Sequence, residues 1–116
     1  MAQTAQDLSQ KHCKPCEGGV SKYSKQEILE RLPLLDKAWT LDEKGVALCR
    51  EFKFKGFAKT MYFVNAVAYL ADQEGHHPDV CFGWGYCNVR FSTHAIGGLS
   101  ENDFICAAKL DKLLAQ

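Results

Sequence analysis

Apolar residues recur along this chain with two periods, and the changes of period mark its elements. "SKQE" at 24–27 is a capping box, in which Ser24 caps free helix N–H groups while Glu27 reaches back. Ile28, Leu29 and Leu32 give the helix an apolar stripe, and Pro33 stops it. "AWTLDEKGVALCREFKFKGF" then places two extended runs on either side of a "DEKG" turn. In the second run Val46, Leu48, Phe52 and Phe54 share one face, which Arg50 interrupts, and Ala47, Cys49, Glu51 and Lys53 share the other. The period switches to helical in "FAKTMYFVNAVAYLADQEG" at 57–75, where Phe57, Met61, Val64, Ala68 and Ala71 form one stripe. Phe63, Val67 and Leu70 form a second beside it, with Tyr62 and Tyr69 adding further apolar surface. Such a helix is buried in a large core or packs on another subunit, and a chain this short favours the subunit. A short strand is expected near 79–82. A clearer one follows, with Cys87, Val89 and Phe91 on one face and Tyr86, Asn88, Arg90 and Ser92 on the other. "GGLSENDF" breaks the pattern, Ser100 caps a last helix with Asp103 three residues on, and Ile105, Ala108, Leu110 and Leu113 continue it. The order α-β-β-α-β-β-α predicts an α+β fold. It is a two-layer α/β sandwich with a four-stranded antiparallel sheet and helices packed on one face.

The length of 116 residues fits one domain over 21–116, preceded by a polar arm at 1–20 that ends in Gly18-Gly19. Lys+Arg and Asp+Glu both number 14, so the basic excess of a direct nucleic-acid binder is missing. No apolar run has the length of a membrane span, and "MAQTAQDLSQKHCKPC" has no hydrophobic core of a signal peptide. A cytoplasmic protein is expected, with a nuclear location left open. Its six cysteines are then mostly reduced. Cys49, Cys81, Cys87 and Cys106 read as small hydrophobes in apolar surroundings. Cys13-x-x-Cys16 reads as half a zinc site, a redox pair, or a feature of the arm without special chemistry; no second CxxC supports the first two.

Two of the four histidines stand together in "EGHHPDV". Asp72 and His76 are four residues apart at the end of the long helix, so they share a face if the helix continues that far. Pro78 biases His77 towards extended backbone. His94 ends the following strand and Asp103 opens the last helix, so one sheet edge gathers all five. Three imidazoles and two carboxylates suit acid–base work near neutral pH, because one ring donates while another accepts. The competing readings are a surface turn before proline and a metal site. Against the metal, adjacent histidines seldom share an ion, and the His-x-x-x-His spacing is missing.

These residues resemble the pterin-4a-carbinolamine dehydratase family. The likeness lies in Asp72, His76-His77-Pro78, Trp84, His94 and Asp103. It extends through "FKFKGFAKTMYFVNAVAYLADQEGHHPDV" and "STHAIGGLSENDF", and "CKPCEGGV" is similar to the arm of bacterial-type members. The resemblance implies a hydro-lyase that dehydrates 4a-hydroxytetrahydropterin to quinonoid dihydropterin. It would recycle the tetrahydrobiopterin of aromatic amino acid hydroxylases with no metal and no organic cofactor. It implies His76 and His94 beside the leaving hydroxyl and His77 on the pterin. Asp72 would orient His76, and Asp103 would polarise the His94 side or cap its helix. Pro78, Trp84, Ser92 and Thr93 are implied as further substrate contacts. The resemblance also implies a tetramer, or a dimer, through helix 57–73, and a transcription-factor partner known for some animal members.

Overall fold

The computed structural model describes residues 4–15 and 20–114. Its elements are α1 (Ala5–Gln10), α2 (Lys25–Arg31) with a 3-10 turn at Leu32–Leu34, β1 (Thr40–Leu41), β2 (Leu48–Lys53), α3 (Phe57–Glu74), β3 (Asp79–Gly83), β4 (Tyr86–Phe91), a 3-10 turn at His94–Ile96, and α4 (Glu101–Leu114). The strands form one antiparallel sheet in the order β1-β2-β4-β3. Helix α3 carries the chain from β2 to the far edge, and the β3–β4 hairpin returns β4 to the middle, paired with β2. This is the expected two-layer architecture. The expected helix caps form as well, with Ser24 accepting from the Glu27 N–H and Glu27 from the Ser24 N–H.

The period of two decides which side of the sheet is dry. Leu48 and Phe52 of β2 and Cys87, Val89 and Phe91 of β4 face the helices and are buried with Val67, Phe104, Ile105 and Leu110. Arg50 interrupts that face without opening it. Its guanidinium lies 4.4 Å from the Phe52 ring and 2.6 Å from the Asp111 carboxylate of α4, which also accepts the Trp39 indole N–H. The opposite face is open. Cys49 pairs across from Arg90, and Cys81 from Asn88, at outward positions. The expectation that all four of these cysteines sit in apolar surroundings is therefore corrected. Cys87 and Cys106 are buried, Cys49 is half-buried and Cys81 is exposed.

The N-terminal segment adds a short helix that its polar composition concealed. Thr4 and Asp7 cap α1 reciprocally, and its one buried residue, Leu8, joins the core. In α3, Thr60, Phe63, Val67 and Ala71 are buried, whereas Phe57, Tyr62 and Tyr69 remain 50%, 70% and 69% exposed.

The β1–β2 turn is held by one carboxylate. Asp42 accepts from the Val46 and Ala47 N–H groups and from Arg90 of β4, and Gly45 supplies the left-handed residue at φ +69°. Desolvation opposes the Asp42 charge, but these donors outweigh it and hold the carboxyl below its ordinary 3.8. Replacing Asp42 by alanine is expected to cost about 1–3 kcal/mol in urea unfolding at neutral pH. Because the folded pKa is depressed, this contribution is complete above the unfolded value and lost as pH falls through the folded one. The gap between wild type and variant should therefore close in acid.

Candidate active site

Three chain segments meet at the end of the hairpin opposite its tip: the turn after α3, the exit from β4, and the first turn of α4. How α3 ends decides which ring meets which carboxylate. Gly75 follows its last residue at φ +64°, ψ +26°; the Gly75 N–H returns to the Asp72 carbonyl and the His76 N–H to the Ala71 carbonyl. This is a Schellman closure. It swings His76 off the helical face, so Asp72 does not meet it. Instead Asp72 Oδ1 lies 3.1 Å from Nε2 of His77, with both side chains exposed. The expected pairing of Asp72 with His76 is thus replaced by a pairing with His77.

His76 turns inward, retaining 4% exposure, and packs its ring parallel to Phe91 at 6.0 Å. Its Nε2 lies 2.6 Å from Oδ1 of Asp103, which is wholly buried. A carboxylate oxygen accepts, so Nε2–H donates and the neutral tautomer is set. Oδ2 of Asp103 accepts from the Thr93 hydroxyl at 2.7 Å and from the Ser100 N–H at 2.9 Å. The Ser100 oxygen lies 2.8 Å from Thr93 Oγ1 and accepts the Asn102 N–H, capping α4. With Thr93's proton given to Asp103, the Ser100 O–H donates to Thr93. Asp103 therefore caps its helix, as expected, but its ring partner is His76 rather than His94. His94 is exposed and opens the 3-10 turn directly after Thr93. His76 and the 93–94 corner are thus tied to one carboxylate, while His77 and Asp72 form a second pair on the surface.

The other expected contacts divide. Pro78 lines a shallow hollow of about 290 Å³ with Asp72, His77, Ala68 and Val80. The Ser92 hydroxyl donates to the Val46 carbonyl, and Thr93 is fully buried, so both hydroxyls serve the framework. Trp84 is 71% exposed at the β3–β4 tip. At roughly 3.3 Å per residue, β3 separates it from Pro78 by on the order of 15 Å. Within one chain Trp84 does not join the histidines. Two supporting residues escaped sequence reading. Glu74 and Asn102 are buried polar neighbours of His76 and Asp103, and neither belongs to a recognisable motif.

A larger concavity, about 600 Å³, lies elsewhere, on the open sheet face beside Cys49, Glu51, Asp79, Asn88 and Arg90. It contains no histidine, and its two arginines, Arg50 and Arg90, are engaged by Asp111 and Asp42. Among the described residues no three His, Cys, Asp or Glu side chains converge as a metal site. Cys16 of the CxxC pair lies outside the described residues. Cys13 Sγ lies 3.5 Å from Cys106 Sγ, a contact that, with burial, pushes the Cys106 thiol pKa up.

A Cβ at Gly75 would meet nothing within 4 Å, so only its left-handed backbone opposes substitution. Gly75→Ala is expected to cost about 1–2 kcal/mol. Gly75→Asn should recover part of that in denaturant unfolding, because asparagine tolerates this conformation.

A model of the family described as pterin 4 alpha carbinolamine dehydratase matches residues 21–113. A Nitrosomonas eutropha protein assigned as pterin-4-alpha-carbinolamine dehydratase is 53% identical over 93% of this chain and 94% of its own. One from Legionella pneumophila strain Lens, with the same assignment, is 51% identical over 93% and 96%. The crystal structure of a transcriptional coactivator/pterin dehydratase from Brucella melitensis superposes with a TM-score of 0.76 at 29% identity, covering 80% of this chain and 98% of that one. A pterin dehydratase-like RuBisCO assembly factor of the alpha-carboxysome superposes at 0.56 with 31% identity, covering 66% and 88%. The architecture, the gathered histidines and these matches agree: the chain belongs to the pterin 4 alpha carbinolamine dehydratase family, whose members are lyases.

Proposed function

We propose that this protein dehydrates 4a-hydroxytetrahydropterin to quinonoid dihydropterin by histidine acid–base catalysis, and so recycles a tetrahydropterin cofactor of aromatic amino acid hydroxylases. The observation that carries the reading is the buried Asp103 carboxylate, which ties His76 to the Thr93–His94 corner in a chain of this family. In the reaction the C4a–O bond breaks, and hydroxide, a poor leaving group, departs as water with a proton from an acid. The N5 lone pair forms the C4a=N5 bond, and the N5 proton passes to a base. His76 and His94 act on the leaving hydroxyl. Asp103 holds the His76 ring in one tautomer and orientation. His77 binds the pterin against Pro78 and shares the base role, with Asp72 steadying its Nε2.

Assembly belongs to the same reading. Tyr62 and Tyr69, seven residues apart on one face of α3, leave apolar surface that a second copy would cover, giving a dimer or tetramer through helix 57–73. A cytoplasmic location is in keeping with this chemistry; no helix among the described residues is long and apolar enough to cross a membrane. A transcription-factor partner has support only from the coactivator description of the Brucella protein.

Mixing the protein with freshly generated 4a-hydroxytetrahydropterin should accelerate dehydration, followed by absorbance. A rate no greater than buffer alone rejects the reading. His76→Ala and His94→Ala should each lower kcat by roughly 10²–10⁴-fold with the fold retained by circular dichroism. Charging that surface with Tyr62→Glu and Tyr69→Glu should reduce the mass measured by light scattering to that of a smaller assembly.

A further inference from the structure

The arm lies outside the matched residues 21–113, yet its backbone completes two buried side chains that flank the His76–Asp103 pair. Glu74 stands two residues before His76, and its side chain is 5% exposed. Its Oε1 accepts the Cys13 N–H at 2.7 Å, and its Oε2 lies 3.1 Å from His12 Nδ1 and 3.6 Å from Lys109 Nζ. Burial opposes the Glu74 charge, but these donors outweigh it and hold the carboxyl below its ordinary range. Asn102 directly precedes Asp103 and is 1% exposed. Its side-chain amide pairs with the backbone of Lys14 as a strand would: the Lys14 N–H donates to Oδ1 at 3.0 Å, and Nδ2 donates to the Lys14 carbonyl at 2.8 Å.

We infer that Asn102 and Glu74 are positioning residues for the His76–Asp103 pair, and that arm residues 12–14 are the clip that sets them. A buried amide or carboxylate without partners turns towards water. For Asn102 that turn moves the first residues of α4, and with them Asp103. For Glu74 it moves the closure that aims His76. The arm therefore acts on the reaction through the geometry of one hydrogen bond, without touching substrate. The inference rests on the acid–base reading of that pair.

The test separates the two. In wild type the His76 Nε2–H, held against a carboxylate, should give a downfield proton resonance, assigned by its loss in His76→Ala. Asn102→Ala should shift or broaden that resonance. It should also lower kcat roughly tenfold to a hundredfold, with KM unchanged. Lys11→Ala, on the same arm but bonded to Glu101, should leave both at wild-type values. If Asn102→Ala does not fold, Lys14→Pro serves: it removes one N–H from an exposed arm residue already followed by proline and should move both readouts in the same direction. An unchanged resonance and kcat in the folded variant overturn the inference. A shifted resonance in a protein whose His76→Ala variant keeps full activity would retain the clip and reject the acid–base reading instead.

Discussion

The structure depends on one buried carboxylate. Asp103 has no exposed surface, and its oxygens accept from the turn after α3, from the exit of β4, and from the start of its own helix. Removing an ionisable group from water is costly unless donors replace the lost hydration. Here three segments supply them, so the sheet end, the long helix and the last helix are locked together by the same bonds that orient His76. Fold closure and site geometry are thus one event. The ring is held in one orientation by Asp103 and by the Phe91 face.

The same rule governs the other polar groups in the core. Arg50 occupies a core-facing strand position because Asp111 and the Phe52 ring receive it, and Asp111 also takes the Trp39 indole. Asn102 and Glu74 tolerate burial because the arm backbone answers them. Each exception to the apolar pattern is met by a partner distant in sequence. The exposed aromatics of α3 are different, since the described residues leave Phe57 half exposed and Tyr62 and Tyr69 mostly so.

Much of the architecture was legible because burial follows period. Alternation at 86–91 predicted β4 and its inward Cys87, Val89 and Phe91, and the capping box at 24–27 predicted the start of α2. The histidines were legible as a set, but their partners were not. A spacing of four invites a helical pairing of Asp72 with His76, yet one left-handed glycine between them reverses the outcome. Trp84 matched a motif in spacing, and within one chain it lies at the far end of the hairpin from the histidines, because spacing along a strand is distance in space. Cys49 and Cys81 looked apolar in sequence, but their register turned them outward.

Local chemistry along the chain was enough to specify the elements, their order, the dry face of the sheet and the residues able to move protons. Those properties depend on neighbours within a few positions, where periodicity and capping act. Only folding decided that Asp103 would pair with His76, that Asp72 would pair with His77, and that Lys14 would pair with Asn102, 88 residues on. Hydrogen-bond partners of buried polar groups are chosen by three-dimensional proximity, and one-dimensional spacing carries almost no record of it.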